Sequence, residues 1–203
     1  MGKLTQDIVK FLEAYKSKGH KISSEQAAFQ LGVYELPQEV KSLCGVDSIS
    51  GDLAFEGSVG KGSWSRTPWV AIYDTRVTER ASDGFYVALI FAESLDRVFL
   101  VLTNTSSSHI NYKPYKIDAA NVTALNSFSR GAIPKGLLSQ SGRGSGPSFE
   151  QSTIQWREYA VGEMESLEKD LGSLVRCYKL LVDQHLQSLP REKPFKPNPF
   201  LLR

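Results

Sequence analysis

Three near-continuous apolar runs constrain this chain more than any other feature: Trp69-Val-Ala-Ile-Tyr73, Phe85-Tyr-Val-Ala-Leu-Ile-Phe-Ala92 and Val98-Phe-Leu-Val-Leu-Thr103. Each is strand-sized, rich in β-branched and aromatic residues, and lacks the alternation of a strand with one wet face. Strands of this kind are covered on both faces or curl around a filled interior. Leu53 to Val59 reads as a further strand ahead of them, and Glu93-Ser-Leu-Asp96 as the turn joining the last two. The block 53–104 is therefore the expected architectural centre. Its longest apolar run, Tyr86 to Ala92, falls far short of the ~18 residues of a membrane span, so no membrane partner is expected.

Helical patterns flank this block. Leu4, Ile8, Phe11, Leu12 and Tyr15 recur at helical spacing over 3–18, with Gly19 as a stop. A second helix is expected from Ser23 or Ser24 to Gly32, and a third short helical turn from Pro37 through Cys44. Asp118 could open a helix over 117–128, Gly/Ser-rich 139–148 reads as a flexible connection, and Thr153 to Tyr159 as a short strand. Leu167, Leu171, Leu174, Val175, Tyr178, Leu181 and Leu186 make one apolar stripe on a last helix, Met164 to Leu189. The proline-rich tail after it reads as a linker. The expected class is α+β: a central mixed, strongly curved sheet of about four to six strands, flanked by N-terminal helices and a long C-terminal helix. Expected boundaries are a helical extension at 1–50, the main domain at 51–189 and a tail at 190–203.

Composition excludes several function classes. Cys44 and Cys177 lie in different expected helices, and His20, His109 and His185 are scattered, so neither a disulfide scaffold nor a zinc or histidine metal site is expected. The N-terminus has no signal-peptide hydrophobic block, which together with the cysteine usage points to the cytoplasm. A net charge of +2 leaves room only for local basic patches: Lys61 with Arg66, Arg76 with Arg80, or Arg130, Lys135 and Arg143. Gly57-Ser-Val-Gly-Lys-Gly-Ser63 is not a phosphate-binding loop, because its spacing is wrong and a strand follows it. Gly142-Arg-Gly-Ser-Gly146 lacks the strand–turn–helix setting of a nucleophile elbow. Asp74, Glu79 and Asp83 are close in sequence, and a polar turn explains them as well as a site would. No catalytic centre and no cofactor are expected.

The aromatic residues of the central block leave two readings open. Trp64, Trp69, Tyr73, Phe85, Tyr86 and Phe91 either fill a core or offer flat faces to a nucleobase beside Lys61 and Arg66.

The string Gly60-Lys-Gly-Ser-Trp-Ser-Arg-Thr-Pro-Trp-Val-Ala-Ile-Tyr-Asp74, with Gly84-Phe-Tyr-Val-Ala-Leu-Ile-Phe91 after it, resembles the N-terminal DNA-binding domain of the McrB restriction protein family. Ile154-Gln-Trp-Arg-Glu-Tyr159 resembles that family's later segment, ahead of its closing helix. The likeness spans roughly residues 53–185 and is densest over 57–104. It implies a module that binds double-stranded DNA containing 5-methylcytosine or a related modified cytosine, and that flips the modified base into an aromatic pocket. By motif position, Trp69 would stack on one face of that base and Tyr159 on the other, while Tyr86 and Ile90 would wall the 5-substituent. Lys61, Ser63, Trp64 and Arg66 would contact DNA; the family's best-known member carries an aromatic residue where Lys61 stands. The resemblance further implies a type IV-like, modification-dependent restriction system active against phage. Cleavage and nucleotide hydrolysis would then reside on other domains or on a nuclease subunit. The other readings are a reader of another modified base or of RNA, and a protein–protein interaction module whose aromatic residues are core.

Overall fold

The computed structural model describes residues 2–45, 52–78, 80–81, 84–105 and 125–188. The helix expected over 117–128 lies mostly outside them, and residues 125–128 form a turn. The tail 190–203, His109, Glu79 and Asp83 also lie outside the described residues.

Six strands form one open sheet: β1 (Leu53–Ser58), β2 (Trp69–Asp74), β3 (Gly84–Phe91), β4 (Arg97–Thr105), β5 (Ser129–Arg130) and β6 (Thr153–Ala160). Their spatial order is β1-β2-β3-β4-β6-β5. Every pairing is antiparallel, where a mixed sheet was expected. The connections explain the difference, since β1 to β4 follow one another through short links, and a parallel neighbour needs a crossover of about a dozen residues or more. The class itself is α+β, with helices before and after the sheet.

The helices are α1 (Lys3–Lys16), α2 (Ala27–Gln30), α3 (Leu36–Leu43), α4 (Gly146–Ser152) and α5 (Leu167–Ser188). A π-helical turn, Leu31–Glu35, joins α2 to α3, so the two segments expected to be separate form one helical run. The widened turn ends just ahead of Pro37, whose ring and missing N–H disturb the ordinary i→i−4 ladder. This run lies tight on β1. A Cβ on Gly57 would sit 2.0 Å from the Gly32 carbonyl oxygen, so only glycine permits that approach.

Side chains alternate across the sheet and give it two buried faces. Val70, Ile72, Phe85, Val87, Leu89, Phe91, Val98, Leu100 and Leu102 point to one face, where Leu4, Ile8, Phe11 and Leu12 of α1 and Leu171, Leu174 and Tyr178 of α5 cover them. The N-terminal helices thus share the main core. Tyr178 fastens α5 to the sheet: its phenol oxygen accepts from the Asp74 amide (2.7 Å) and donates to the Phe85 carbonyl (3.1 Å). The other face carries Ala71, Tyr73, Tyr86, Ala88, Ile90, Phe99 and Val101, and Ile133, Leu138 and Phe149 pack into it. Among the described residues, no helix is long and apolar enough to cross a membrane.

Candidate nucleic-acid interface

Trp69 opens β2, half-buried at the rim of the second face. Its register partner is Ile90, itself opposite Phe99. The next row on the same face is Ala71, Ala88, Val101 and Trp156. Two alanines therefore lie beside Trp69 and Ile90, with Tyr73 and Tyr86 beyond them. Tyr86 and Ile90 are 1% and 0% exposed, so the free protein seals both.

Tyr159 lies elsewhere. It pairs with Val98, points to the helix-covered face and is buried there against α5. Its hydroxyl donates to Asp170 Oδ2 (2.9 Å), which also takes Arg157 Nη1 (2.7 Å). Burial, reinforced by the Asp170 carboxylate, pushes the phenol well above its ordinary pKa. A base stacked on Trp69 would have the whole sheet between it and Tyr159, so the expected aromatic pair is not brought together. The reason is strand parity. On β6, Tyr159, Arg157 and Gln155 face one way, and Trp156, three positions from Tyr159, faces the other. Trp156 is thus the β6 aromatic on the Trp69 face, ring against Phe99 (centroids 5.9 Å apart), and its buried indole N–H has no hydrogen-bond partner among the described residues.

The glycine loop between β1 and β2 has a fixed base and an open tip. The Ser65 amide donates to the Val59 carbonyl (2.7 Å), and the Tyr15 hydroxyl donates to the Ser65 carbonyl (2.5 Å). Trp64, expected to contact DNA, takes part in this anchoring: its indole N–H donates to the Gly19 carbonyl (2.8 Å), and its ring meets Tyr15 edge-on (5.3 Å). Burial among these groups pushes the Tyr15 phenol pKa up. Lys61, Gly62 and Ser63 at the tip are exposed, and Lys61 forms no ion pair among the described residues.

Arg66 turns back toward the protein, pairing with Glu93 Oε1 (2.6 Å). Glu93 Oε2 also accepts from the Ser141 amide (2.9 Å), the Ser141 hydroxyl (2.8 Å) and the Ser139 hydroxyl (3.2 Å). Burial opposes its charge, yet these donors and Arg66 together hold the carboxyl down at about 2. Residues 139–148, expected as a flexible connection, are pinned instead, with Thr67 and Ser145 hydroxyls 3.0 Å apart. Arg143 and Lys135 from this region are exposed and unpaired among the described residues, whereas Arg76 is engaged by Asp74, Asp52 and Asp183.

The sequence reading missed Trp156, Glu93 and Tyr15. Alternation within 153–160 separates Trp156 from Tyr159, but only the pairing with β4 says which of them shares a face with Trp69. Glu93 and Tyr15 act on partners distant in sequence, and no local pattern marks them. Among the described residues, no group of His, Cys, Asp and Glu could hold a metal ion.

No curated protein matches this chain. The family model described as MrcB-like, N-terminal domain, matches residues 10–183 and so takes in the second half of α1, the whole sheet and most of α5. By that match the chain belongs to the MrcB-like N-terminal domain family, the DNA-binding N-terminal modules of the McrB type.

Proposed function

We propose that this chain is the specificity module of a modification-dependent, type IV-like restriction system, reading 5-methylcytosine or a related modified cytosine in double-stranded DNA by base flipping. Cleavage and nucleotide hydrolysis belong, on this reading, to a nuclease domain or subunit that the module directs, in a cytoplasmic defence against phage. The observation that carries it is the placing of Trp69: half-buried at the rim of an aromatic face, beside the small Ala71 and Ala88, where the exposed Lys61 loop runs into β2.

The energetics suit that placing. Extruding a base costs a few kcal/mol, and an aromatic plate returns roughly 1–3 kcal/mol per stacked base. Trp69 can supply such a plate from the rim. Tyr86 and Ile90 are sealed, so sensing a 5-substituent with them requires the second face to open around the base. That opening subtracts from affinity and makes the pocket selective, because only a base that fills the space repays it. One added methyl is worth about 1–3 kcal/mol in such a pocket, so discrimination of roughly tenfold to a hundredfold is expected. Lys61 and Ser63 are the loop residues left to meet the duplex, and Arg143 adds charge from the neighbouring segment, so binding weakens with salt.

The test is a binding series with matched duplexes carrying cytosine, 5-methylcytosine or 5-hydroxymethylcytosine. Tighter binding of a modified duplex is expected, and Trp69→Ala should weaken it by at least tenfold. Equal affinity for all three would remove modified-base reading.

A further inference from the structure

The segment leading into β6 folds around a buried carboxylate. Glu150 of α4 is 3% exposed, and its Oε1 accepts three backbone N–H groups: Gly136 (3.0 Å), Leu138 (2.9 Å) and Ser139 (3.1 Å). Those bonds tie down residues 136–139 of the loop, and a neutral amide oxygen could accept the same three, though less strongly. The second oxygen, Oε2, accepts no hydrogen bond and meets no cation among the described residues.

Glu150 lines a cavity of about 750 Å³ between this loop and α4. Ala132, Ile133 and Pro147 give it apolar walls, and the exposed, unpaired Lys135 stands on its lining. The site thus combines a carboxylate with one uncommitted oxygen on its lining, apolar surface around it and a cation that has no ion pair among the described residues. An N–H donor on a flat ring with an anion attached satisfies all three. A carboxylate accepts well from the exocyclic amine of a base such as cytosine, and an ammonium takes a phosphate as a point charge.

We propose that this cavity is a second nucleotide site, which takes an amino-bearing nucleobase against Glu150 and the nucleotide's phosphate against Lys135. Trp69 does not line it, so the site stands beside the base-flipping reading and does not depend on it. The nucleotide comes either from a strand held by the module or from solution.

Titration of the whole chain with CMP and UMP, followed by calorimetry and by backbone amide shifts, tests the assignment. The two nucleotides match in shape and differ in presenting an amine or a carbonyl to Glu150. CMP is expected to bind at least tenfold tighter than UMP, with shifts centred on Ile133, Gly136 and Gly142. Glu150→Gln keeps an acceptor for the three amides and puts a donor where Oε2 was, so the preference should invert toward UMP. Lys135→Ala, on the exposed lining, should weaken CMP several-fold while leaving cytidine unchanged, and it serves equally if the Glu150 variant does not fold. Trp69→Ala should leave CMP affinity intact even as duplex binding falls, which separates failure of this site from failure of the flipping reading. Cytosine- and uracil-containing single strands, run alongside, distinguish a strand-borne base from a free nucleotide by which of strand or CMP binds tighter. Equal affinity for CMP and UMP, no saturable binding, or shifts confined to the Trp69 rim would overturn the proposal.

Discussion

A phenol and an indole three positions apart on β6 divide the labour of the sheet. Tyr159 belongs to the framework, since its hydroxyl and Arg157 share one oxygen of Asp170 on α5. Trp156 belongs to the face that carries Trp69. Tyr159→Phe removes one hydrogen bond to a carboxylate that keeps its arginine. It should cost about 1–2 kcal/mol in urea unfolding and leave DNA affinity within twofold of the parent. A tenfold loss of DNA binding at unchanged stability would return Tyr159 to the interface. The aromatic strings themselves, Pro68-Trp69 and Gly84-Phe-Tyr, were legible one residue at a time. Which ring is stacking surface and which is core was not, because that depends on a neighbouring strand's register.

At the scale of elements, the glycine loop and the helix behind it form one device. Gly60 holds φ at +118°, which L-residues rarely adopt, and a Cβ there would lie 2.1 Å from the Ser63 carbonyl oxygen. Gly62, also at positive φ, faces open space. Gly62→Ala should therefore cost only the about 1–2 kcal/mol of left-handed backbone strain. Gly60→Ala should cost more and also disturb the Lys61 tip, weakening duplex binding. Thermal melts and a salt titration of DNA affinity on the two variants compare them directly; equal effects would mean that the loop base does not hold the tip. The elements were mostly legible from periodicity and punctuation: α1, the four central strands and α5 fall within a few residues of expectation. The exceptions have different causes. The π-helical turn comes just ahead of Pro37, whose ring and missing N–H disturb the helical ladder, whereas the 139–148 segment is pinned by partners from outside it, Glu93 and Glu150.

The whole molecule is a sheet with two different covers. Helices α1 and α5 cover one face, with α5 locked there through Tyr178 and Asp170, while residues 132–152 close the other through Glu93 and Glu150. The second cover is tied partly by charge, and this gives it a pH dependence. The Glu93 carboxyl sits at about 2 when folded, against an ordinary 4.5. A folded-state value below the unfolded one means that its stabilisation is complete above about pH 4.5 and is lost as pH falls from there toward 2. Glu93→Gln should accordingly be less stable than the parent at pH 7, with the gap narrowing by pH 3. A gap independent of pH, read from urea midpoints, would show that the ion pair contributes nothing. The sequence by itself determined the class of fold, every strand but β5, and the family, because apolar period and glycine spacing are local properties of a chain. Only the tertiary structure decided what faces what: that Tyr159 and Trp69 look away from each other, that Trp64 bonds to Gly19 and Arg66 to Glu93, and that Glu150 lines a cavity. Those outcomes depend on strand parity, register and long-range hydrogen bonds, which exist only once residues far apart in the chain are brought together.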